Sequence, residues 1–157
     1  MPNTTRLGHF LPYLLSITAN TVSVRLAQEY RVRFGLNVPE WRVMAVLGDS
    51  GALTQRQLSK LTIMDKVAVN RACKGLEKRA LIRRQPNETD GRSHHLELTE
   101  AGYAMHIAIM PLALELERRL FSSFTEDELE TFQSVLARIR GEVAELSAED
   151  IDFGRIS

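Results

Sequence analysis

The side chains best suited to specific chemistry lie in the segment DKVAVNRACKGLEKRA, residues 65–80. Projected as a helix at about 100° per residue, this segment has one apolar face and one polar face. The apolar face carries Val69, Ala72, Leu76 and Ala80. The opposite face carries Val67, Asn70, Arg71, Lys74 and Lys78. A polar face of this composition could read the edges of nucleobases, or it could simply be solvated.

Each residue type on the polar face matches a kind of contact with DNA. Arg71 can donate two hydrogen bonds to guanine, Asn70 can pair with adenine, and Val67 can contact the methyl group of thymine. Lysines are better placed for phosphates, which hold a protein in register on DNA without reading its sequence. The lysines concerned are Lys66, Lys74 and Lys78.

A shorter helix is predicted directly before this segment. Thr54 and Gln57 have the spacing of a capping box, and we expect Leu58 and Leu61 to be buried. The connection TIM joins the two helices into a helix-turn-helix pattern, whose second helix can lie in a major groove. We include Thr54 and Arg56, at the start of the first helix, among the candidate DNA contacts.

A β-hairpin is predicted immediately after the helix-turn-helix. The alternation of HHLEL at residues 94–98 indicates a half-buried strand, and LIRRQ offers its partner. The connection from Pro86 to Ser93 is too long for a tight turn and places Arg92 near its tip. Such a hairpin forms a wing, whose arginine can enter a minor groove where negative potential is concentrated. We expect Asp90 to pair with Arg92 and hold it in place.

The charge of the chain is unevenly distributed. The 20 basic and 20 acidic residues give a net charge of zero. Ten basic and four acidic residues lie between Thr54 and His95, so this segment carries +6 and the remainder −6. The asymmetry suggests one face for a polyanion, although chance clustering on a solvated surface would give the same count.

Long amphipathic helices flank the basic segment. Apolar periodicity predicts helices from Phe10 to about Phe34 and in the segments that begin at Thr99 and Thr125. A shorter helix opens at Pro39 and stops at GDSG. The three long helices carry more apolar surface than one small lobe can cover, so we expect them to associate with a second copy. A monomer with an elongated three-helix core is the alternative.

The chain as a whole resembles an ordinary single-domain protein of 157 residues, 44% apolar and 25% charged. Its amino terminus lacks the apolar run of a signal peptide, and no stretch approaches the ~18 apolar residues of a membrane span. The single cysteine, Cys73, leaves no internal disulfide, so we expect a cytoplasmic protein with a buried structural thiol. The four histidines are dispersed, and we expect no metal or cofactor.

An enzyme and a protein-interaction module are the two alternative classes of function. Asp90, Ser93 and His94 have the residue types of a catalytic triad, but neighbours on one loop cannot converge as acyl transfer requires. The chain has no HExxH motif, phosphate-binding glycine loop or dinucleotide fingerprint, so we expect no catalytic residues and no enzymatic activity. The other class is a protein-interaction module, in which a helical dimer presents its basic lobe to an acidic partner.

Residues 65–102, DKVAVNRACKGLEKRALIRRQPNETDGRSHHLELTEAG, resemble the core of the MarR family of winged helix-turn-helix transcriptional regulators. The matching pieces are DKxxVxR, LExRxLIxR, the DxR of Asp90–Arg92 and LTEAG, in this order. The resemblance implies a mostly α fold with a small β-hairpin wing, formed by residues 1–157 as a single domain. Within it, the dimerisation helices would be 10–36 and 99–147, the winged helix-turn-helix 39–98, its recognition helix 65–80 and its wing 81–98.

The resemblance also implies a mode of action. Family members are homodimers that bind a pseudo-palindromic operator in double-stranded DNA, with recognition helices roughly 34–36 Å apart. Repression is favoured over activation by the same resemblance. The family often has Ser or Thr where this chain has Val67 and Asn70, so we expect a different operator. A thiol switch is not expected, because the thiol-sensing branch keeps its cysteine on the first helix and this first helix has none.

Release by a small molecule is the mode of control that the resemblance implies, commonly by an aromatic or phenolic acid, here extended to its CoA thioester. In the family, the pocket lies where the first, second and fifth helices meet the winged lobe. The candidate lining residues are His9, Tyr13, Trp41 and Arg42. An arginine beside aromatic rings suits a flat carboxylate, although Trp41 could equally be plain core and Arg42 could pair with Glu40 or with a phosphate.

Overall fold

The computed structural model of the chain describes residues 6–86, 89 and 91–147. Six α-helices and a two-stranded antiparallel sheet lie within those residues, and a short 3₁₀ turn, Leu7–His9, precedes the first helix. The predicted fold class, mostly α with a small β-hairpin, is confirmed. The elements are α1 (Leu11–Phe34), α2 (Val38–Ser50), α3 (Gln55–Thr62), α4 (Lys66–Lys78), β1 (Ile82–Pro86), β2 (His94–Leu98), α5 (Glu100–Leu120) and α6 (Glu126–Ser147).

The helices begin where local sequence signals place them. The Thr54 hydroxyl accepts a hydrogen bond from the Gln57 amide at 3.1 Å, and the Gln57 side chain accepts from the Thr54 amide at 2.9 Å. Thr125 and Glu128 make the same reciprocal pair at the start of α6. Asp65 caps α4 by accepting from its third amide at 2.8 Å. The capping box predicted at Thr54 is confirmed, and the caps of α4 and α6 work in the same way, because each depends on residues only three apart.

The chain divides into two compact units after Leu116. The first unit contains the apolar core, in which side chains from α2, α3, α4 and the hairpin are packed together. α4 is therefore fixed by its apolar face against the helices that precede it in the chain. Fully buried members of this core include Leu36, Val43, Met44, Leu58, Val69, Cys73, Leu76, Leu96 and Ile109.

The hairpin pairs β1 and β2 in antiparallel register, with Ile82 opposite Leu98 and Arg84 opposite Leu96. Leu53 adds a further bridge, because its amide donates to the Leu96 carbonyl at 3.0 Å and its carbonyl accepts from the Leu96 amide at 2.7 Å. The predicted hairpin is confirmed, and the isolated bridge at Leu53 was not predicted. The wing is thus anchored to the residue that precedes Thr54, the N-cap of α3.

The first turn of α5 docks on the backbone between α4 and β1. The Thr99 hydroxyl donates to the Ala80 carbonyl at 2.6 Å and accepts from the Gly102 amide at 3.0 Å. The Thr99 amide donates to the Leu81 carbonyl at 3.0 Å. A Cβ at Gly102 would lie 1.9 Å from the Leu81 carbonyl oxygen, so this contact requires glycine. The LTEAG motif therefore joins α5 to the helix-turn-helix.

Three details of the sequence-based prediction are wrong. α2 does not stop at GDSG but runs to Ser50, because Gly48 packs against a side chain from α5 and remains helical. Leu61 is 53% exposed, because only one apolar position of the short helix α3 faces the core. Ala80 is exposed and outside α4, because its φ of 56° breaks the helical projection on which its placement depended.

Apolar side chains remain exposed on both units. In the first unit, Phe10, Leu11 and Leu15 at the start of α1 are 41–75% exposed. In the second unit, one face of α6 is 38–56% exposed at Phe132, Val135, Ile139, Val143 and Leu146. None of the helices in the described part of the chain is long and apolar enough to cross a membrane.

Candidate nucleic-acid interface

α4 presents the predicted polar face outward because its other face is buried. Val69 and Leu76 are fully buried, whereas Val67, one of the predicted base contacts, is 68% exposed. The exposed cations beside it are Lys66, Arg71, Lys74 and Lys78.

Two grooves bring the candidate base contacts together at the amino-terminal half of α4. The larger, of about 780 Å³, separates the starts of α3 and α4. The smaller, of about 500 Å³, follows the outer side of α4 from Asp65 to Arg71. Helix-turn-helix proteins direct this end of the second helix at base edges. The larger groove is lined by Gln55, Arg56, Ser59, Lys66, Val67 and Asn70.

The two candidates at the start of α3 differ in what their side chains are free to do. The Thr54 hydroxyl is already engaged with Gln57 in the capping box, so its main effect is to hold α3. Arg56 is exposed and lines the larger groove, where a guanidinium can contact a phosphate. The structure thus leaves Arg56 the better-placed DNA contact of the pair.

The arginines of the hairpin lie on β1 and in the turn between the strands. Arg83 donates to Glu97 across the hairpin at 2.6 Å, and Arg84 donates to Glu77 of α4 at 2.6 Å. Arg92 lies exposed in the turn that joins β1 to β2. Asp90, and with it the predicted ion pair to Arg92, lies outside the described residues. Glu77 is already counted in the +6 net charge of residues 54–95, whereas Glu97 lies outside that segment and neutralises one further charge on β1.

The candidate ligand residues fall into two separate places in one chain. Trp41 is half-buried, and its ring centroid lies 5.0 Å from that of Tyr30. Tyr13 precedes Tyr30 by 17 positions in the continuous helix α1, which is roughly 25 Å along the axis. His9 lies before Tyr13 in the exposed 3₁₀ turn, and Arg42 is exposed beside Trp41. One chain therefore does not bring Tyr13 and Trp41 into the same small pocket.

His106 joins the Trp41 cluster and was missed by the sequence analysis. Its ring lies 6.2 Å from Trp41, stacked at 24°, and 6.2 Å from Tyr103. Gly48 allows this approach, because a Cβ there would lie 2.6 Å from the imidazole. The His106 Nδ1 atom is buried and has no hydrogen-bond partner among the described residues. Only the tertiary fold brings these rings together, so no local spacing could have identified the cluster.

Cys73 is a buried structural thiol, as predicted. Its side chain is fully buried in the core, and burial raises the pKa of the thiol to about 11. The nearby Arg84 guanidinium lowers this pKa and the Glu77 carboxylate raises it, both less than burial does. A thiol in this state is unreactive near neutral pH. The part of the chain that the structure describes also holds no group of three potential metal ligands.

Known proteins of similar sequence and structure share this architecture. A family model described as MarR family matches residues 34–93, from the end of α1 to the edge of β2. The crystal structure of a MarR/EmrR family transcriptional regulator from Acinetobacter sp. ADP1 is 26% identical, with a TM-score of 0.84 over 90% of this chain and 99% of that one. The chain is thus similar to the MarR family in sequence over residues 34–93 and in structure over most of its length. The resemblance stated from its sequence is confirmed, and the members of this family are transcriptional regulators, not enzymes.

Named MarR-like relatives are moderately similar to this chain. The HTH-type transcriptional regulator PecS of Dickeya dadantii is 26% identical over 134 residues, which is 82% of this chain and 81% of that protein. The HTH-type transcriptional repressor IacR of Pseudomonas putida is 24% identical over 66% of this chain and 62% of its own length. A mutant MarR from E. coli, solved with operator DNA, is 23% identical with a TM-score of 0.73 over 82% of this chain and 92% of that one, which shows a shared fold.

Proposed function

We propose that this MarR-like regulator binds a pseudo-palindromic operator in double-stranded DNA as a homodimer and represses transcription. The observation that carries the proposal is the outward face of α4, where Val67, Asn70 and Arg71 lie together at the amino-terminal half. Support comes from the E. coli MarR with the same fold that was solved with operator DNA and from a relative named as a repressor. In a bacterium, such a protein works in the cytoplasm, where the chromosome lies.

Each part of the lobe has a distinct role in this proposal. Arg71 and Val67 contact base edges in the major groove, and Arg92 of the wing enters the adjacent minor groove. Lys66, Lys74 and Lys78 contact phosphates and fix the register of α4. The sequence preference then depends on the base contacts of Arg71, Val67 and Arg92. The salt dependence of the affinity depends on the number of phosphate contacts.

The second copy is proposed from the exposed apolar faces. The side chains along one face of α6, together with those at the start of α1, are far more exposed than apolar residues of a stable monomer need be. An identical chain offers faces of the same chemistry, and a two-fold dimer matches a pseudo-palindromic site. The α6 face includes a shallow apolar groove of about 320 Å³ lined by Val135, Arg138, Ile139, Glu142, Val143 and Leu146.

The DNA proposal is tested with sites that the full-length chain selects from a random duplex library. We expect Arg71→Ala and Arg92→Ala each to weaken binding about 5- to 150-fold per half-site, the range for one good base contact. Lys74→Ala is expected to weaken all sequences alike and to reduce the salt slope by about 0.9 per subunit. Arg140→Ala, which removes the same charge from α6, is the matched control and should bind nearly normally.

Two results would contradict the DNA proposal. Normal binding by both Arg71→Ala and Arg92→Ala would refute the assignment of the interface. Failure to select any duplex at low salt would instead favour the protein-interaction module, in which the basic lobe meets an acidic protein.

Self-association is tested by sedimentation equilibrium, for which we expect twice the chain mass of 17.8 kDa. Val143→Glu places a carboxylate on the apolar face of α6 and should lower the mass toward that of one chain. Ser134→Glu places the same group on the opposite, polar face of this helix and should not. A parent chain that sediments as a single copy would refute the dimer.

We also propose that a small aromatic acid, or its CoA thioester, releases the regulator from DNA by binding beside Trp41. The sequence-based candidates His9 and Tyr13 are not part of this site within one chain. The support is the cluster of Trp41, His106 and Tyr103, which combines aromatic surface with a buried, unpartnered imidazole nitrogen that can accept or donate a hydrogen bond. Arg42, exposed next to Trp41, supplies a cation for the carboxylate.

Fluorescence offers a direct test of the effector site, because Trp41 is the only tryptophan in the chain. Aromatic acids and their CoA thioesters are titrated into the protein while the emission of Trp41 is recorded. In parallel, the same compounds are titrated into the protein–DNA complex while the release of DNA is recorded. The effector should change the emission and release the DNA at the same concentration. His106→Phe keeps a ring in place but removes Nδ1, and it should weaken the response. If no compound alters either signal, the proposed effector site is wrong.

A further inference from the structure

Four polar side chains from α3, α4 and β1 form a continuous line of hydrogen bonds. Arg84 of β1 donates from Nε to Glu77 Oε1 at 2.6 Å and from Nη1 to Gln55 Oε1 at 3.1 Å. Gln55 of α3 in turn donates from Nε2 to Asn70 Oδ1 at 3.3 Å. We name these four residues, Glu77, Arg84, Gln55 and Asn70, the amide relay. It connects a strand of the wing to a residue that is proposed to read DNA.

The chemistry of arginine sets the direction of every bond in the amide relay. A guanidinium has only donors, so the Gln55 atom that faces Arg84 has to be its carbonyl oxygen. The other end of the Gln55 amide is then a donor, and the Asn70 atom that faces it has to be an acceptor. Glu77 holds the guanidinium in this position through a charge-assisted bond. Asn70 is thereby held by its oxygen, which leaves the Nδ2 group for a ligand in the groove that both amides line.

The direction of these bonds bears on which base Asn70 can contact. The usual contact of asparagine with adenine uses both ends of the amide, the oxygen accepting from N6 and the nitrogen donating to N7. In this chain the oxygen is turned toward Gln55, which uses one of its two lone pairs, so Nδ2 is the end of the amide that is left for the groove. The two N–H groups of Nδ2 match the O6 and N7 acceptors of guanine, whereas the N6 amino group of adenine would face another donor.

We propose that Arg84 is a positioning residue that sets the base preference of Asn70 at guanine through Gln55. The proposal rests on the proposed function, since it requires α4 to lie in a major groove. It also corrects the adenine contact expected from the residue type alone. Arg84 need not touch DNA, because it acts by fixing the orientation of two amides.

The decisive variant is Gln55→Glu, which keeps an acceptor for Arg84 but removes the donor that faces Asn70. The Asn70 amide then has to turn over to donate from Nδ2 to the new carboxylate, so its oxygen faces the DNA. The preference at one position per half-site should shift from guanine to a base with an amino donor, adenine or cytosine, by about 5- to 150-fold. The measurement is binding to a set of duplexes in which each position of the selected site carries all four base pairs.

Further variants separate the amide relay from general effects on folding and charge. Arg84→Met leaves Gln55 free to turn, so discrimination at that same position should fall while the other positions keep their preferences. Arg83→Met is the matched control, because Arg83 is the adjacent arginine of β1 and makes its 2.6 Å bond to Glu97 instead. It should weaken all duplexes alike. In an Asn70→Ala background, Gln55→Glu should leave the base profile unchanged.

The outcomes distinguish this proposal from the one on which it rests. If Arg71→Ala weakens binding as expected but Gln55→Glu and Arg84→Met keep the parent profile at every position, the amide relay has no role in specificity and the proposal is overturned. If Arg71→Ala and Asn70→Ala also bind normally, α4 does not read DNA, and both proposals fail. A guanine preference that reverses in Gln55→Glu and relaxes in Arg84→Met supports the assignment, with circular dichroism confirming that each variant is folded.

Discussion

Replacing Gly102 by alanine tests how α5 is attached to the helix-turn-helix. A Cβ at this position would lie 1.9 Å from the Leu81 carbonyl oxygen and 2.9 Å from its carbon, and real Cβ atoms do not approach other atoms closer than about 3.0 Å. The obstacle is backbone rather than the end of a flexible side chain. The start of α5 therefore has to move away from the segment between α4 and β1.

The cost of that movement follows from the bonds it breaks. The Thr99 amide and hydroxyl donate to the Leu81 and Ala80 carbonyls at 3.0 and 2.6 Å, and both bonds lie within three residues of the displaced Cα. Each lost hydrogen bond costs about 1 kcal/mol, and a polar group left unpaired adds about 1–3 kcal/mol. Gly102→Ala should therefore lower the free energy of unfolding by about 3–5 kcal/mol. This is a large part of the roughly 5–15 kcal/mol that stabilises a typical protein.

Urea denaturation followed by circular dichroism, at one fixed protein concentration, measures this effect. In a thermal scan the same loss corresponds to roughly 6–20 °C in Tm for a chain of this size. Gly141→Ala is the matched control, because a Cβ on that position of α6 meets nothing within 4 Å. It should raise the free energy of unfolding by about 0.5–1 kcal/mol, as alanine does in an exposed helix. A Gly102→Ala protein as stable as its parent would refute the described attachment of α5.

Three further predictions concern single side chains of the first unit. Burial holds the pKa of Cys73 at about 11 against an ordinary 9.0, so the folded protein keeps a proton that the unfolded chain loses. The free energy of unfolding should therefore fall as the pH rises from 9 to 11. In Cys73→Ala this fall should be absent, which would confirm that the thiol causes it. Arg79→Met removes two 3.0 Å hydrogen bonds to the carbonyls of Phe34 and Gly35 at the end of α1. It should lower the free energy of unfolding, measured in urea, by about 1 kcal/mol. No loss would mean that these exposed bonds are not maintained. Asp65→Ala should cost about 1 kcal/mol through loss of the α4 cap, whereas Asp65→Asn should cost much less.

Features that depend on near neighbours in the chain were predictable from the sequence. The capping pairs at Thr54 and Thr125 act over three residues, so their residue types alone predict where the helices begin. The polar face of α4 follows from a helical repeat, and the alternation around Leu96 follows from the two-residue repeat of a strand. These signals were sufficient for the fold class and for the location of the candidate interface.

Features that depend on distant residues were not predictable in the same way. The bridge between Leu53 and Leu96 joins single residues far apart in the chain and has no repeat of its own. The ring cluster at Trp41 requires His106 to meet Gly48 from another helix. The Gln55 amide lies within 3.3 Å of Asn70 only because α3 packs on α4, so a base contact predicted for Asn70 from its residue type alone could not take this neighbour into account. Residue type predicts what a side chain can do, and tertiary contacts decide which of its ends is available.

A hydroxyl-radical footprint of the full-length chain on its selected duplex tests the central claim most directly. The account predicts protected stretches related by a two-fold axis on one side of the duplex, as expected for recognition helices one turn of DNA apart, roughly 10–10.5 base pairs. The outer minor-groove protections should disappear in Arg92→Ala while the symmetry of the remaining pattern is kept. A single unsymmetrical patch, or an Arg92→Ala footprint identical to that of the parent chain, would contradict it.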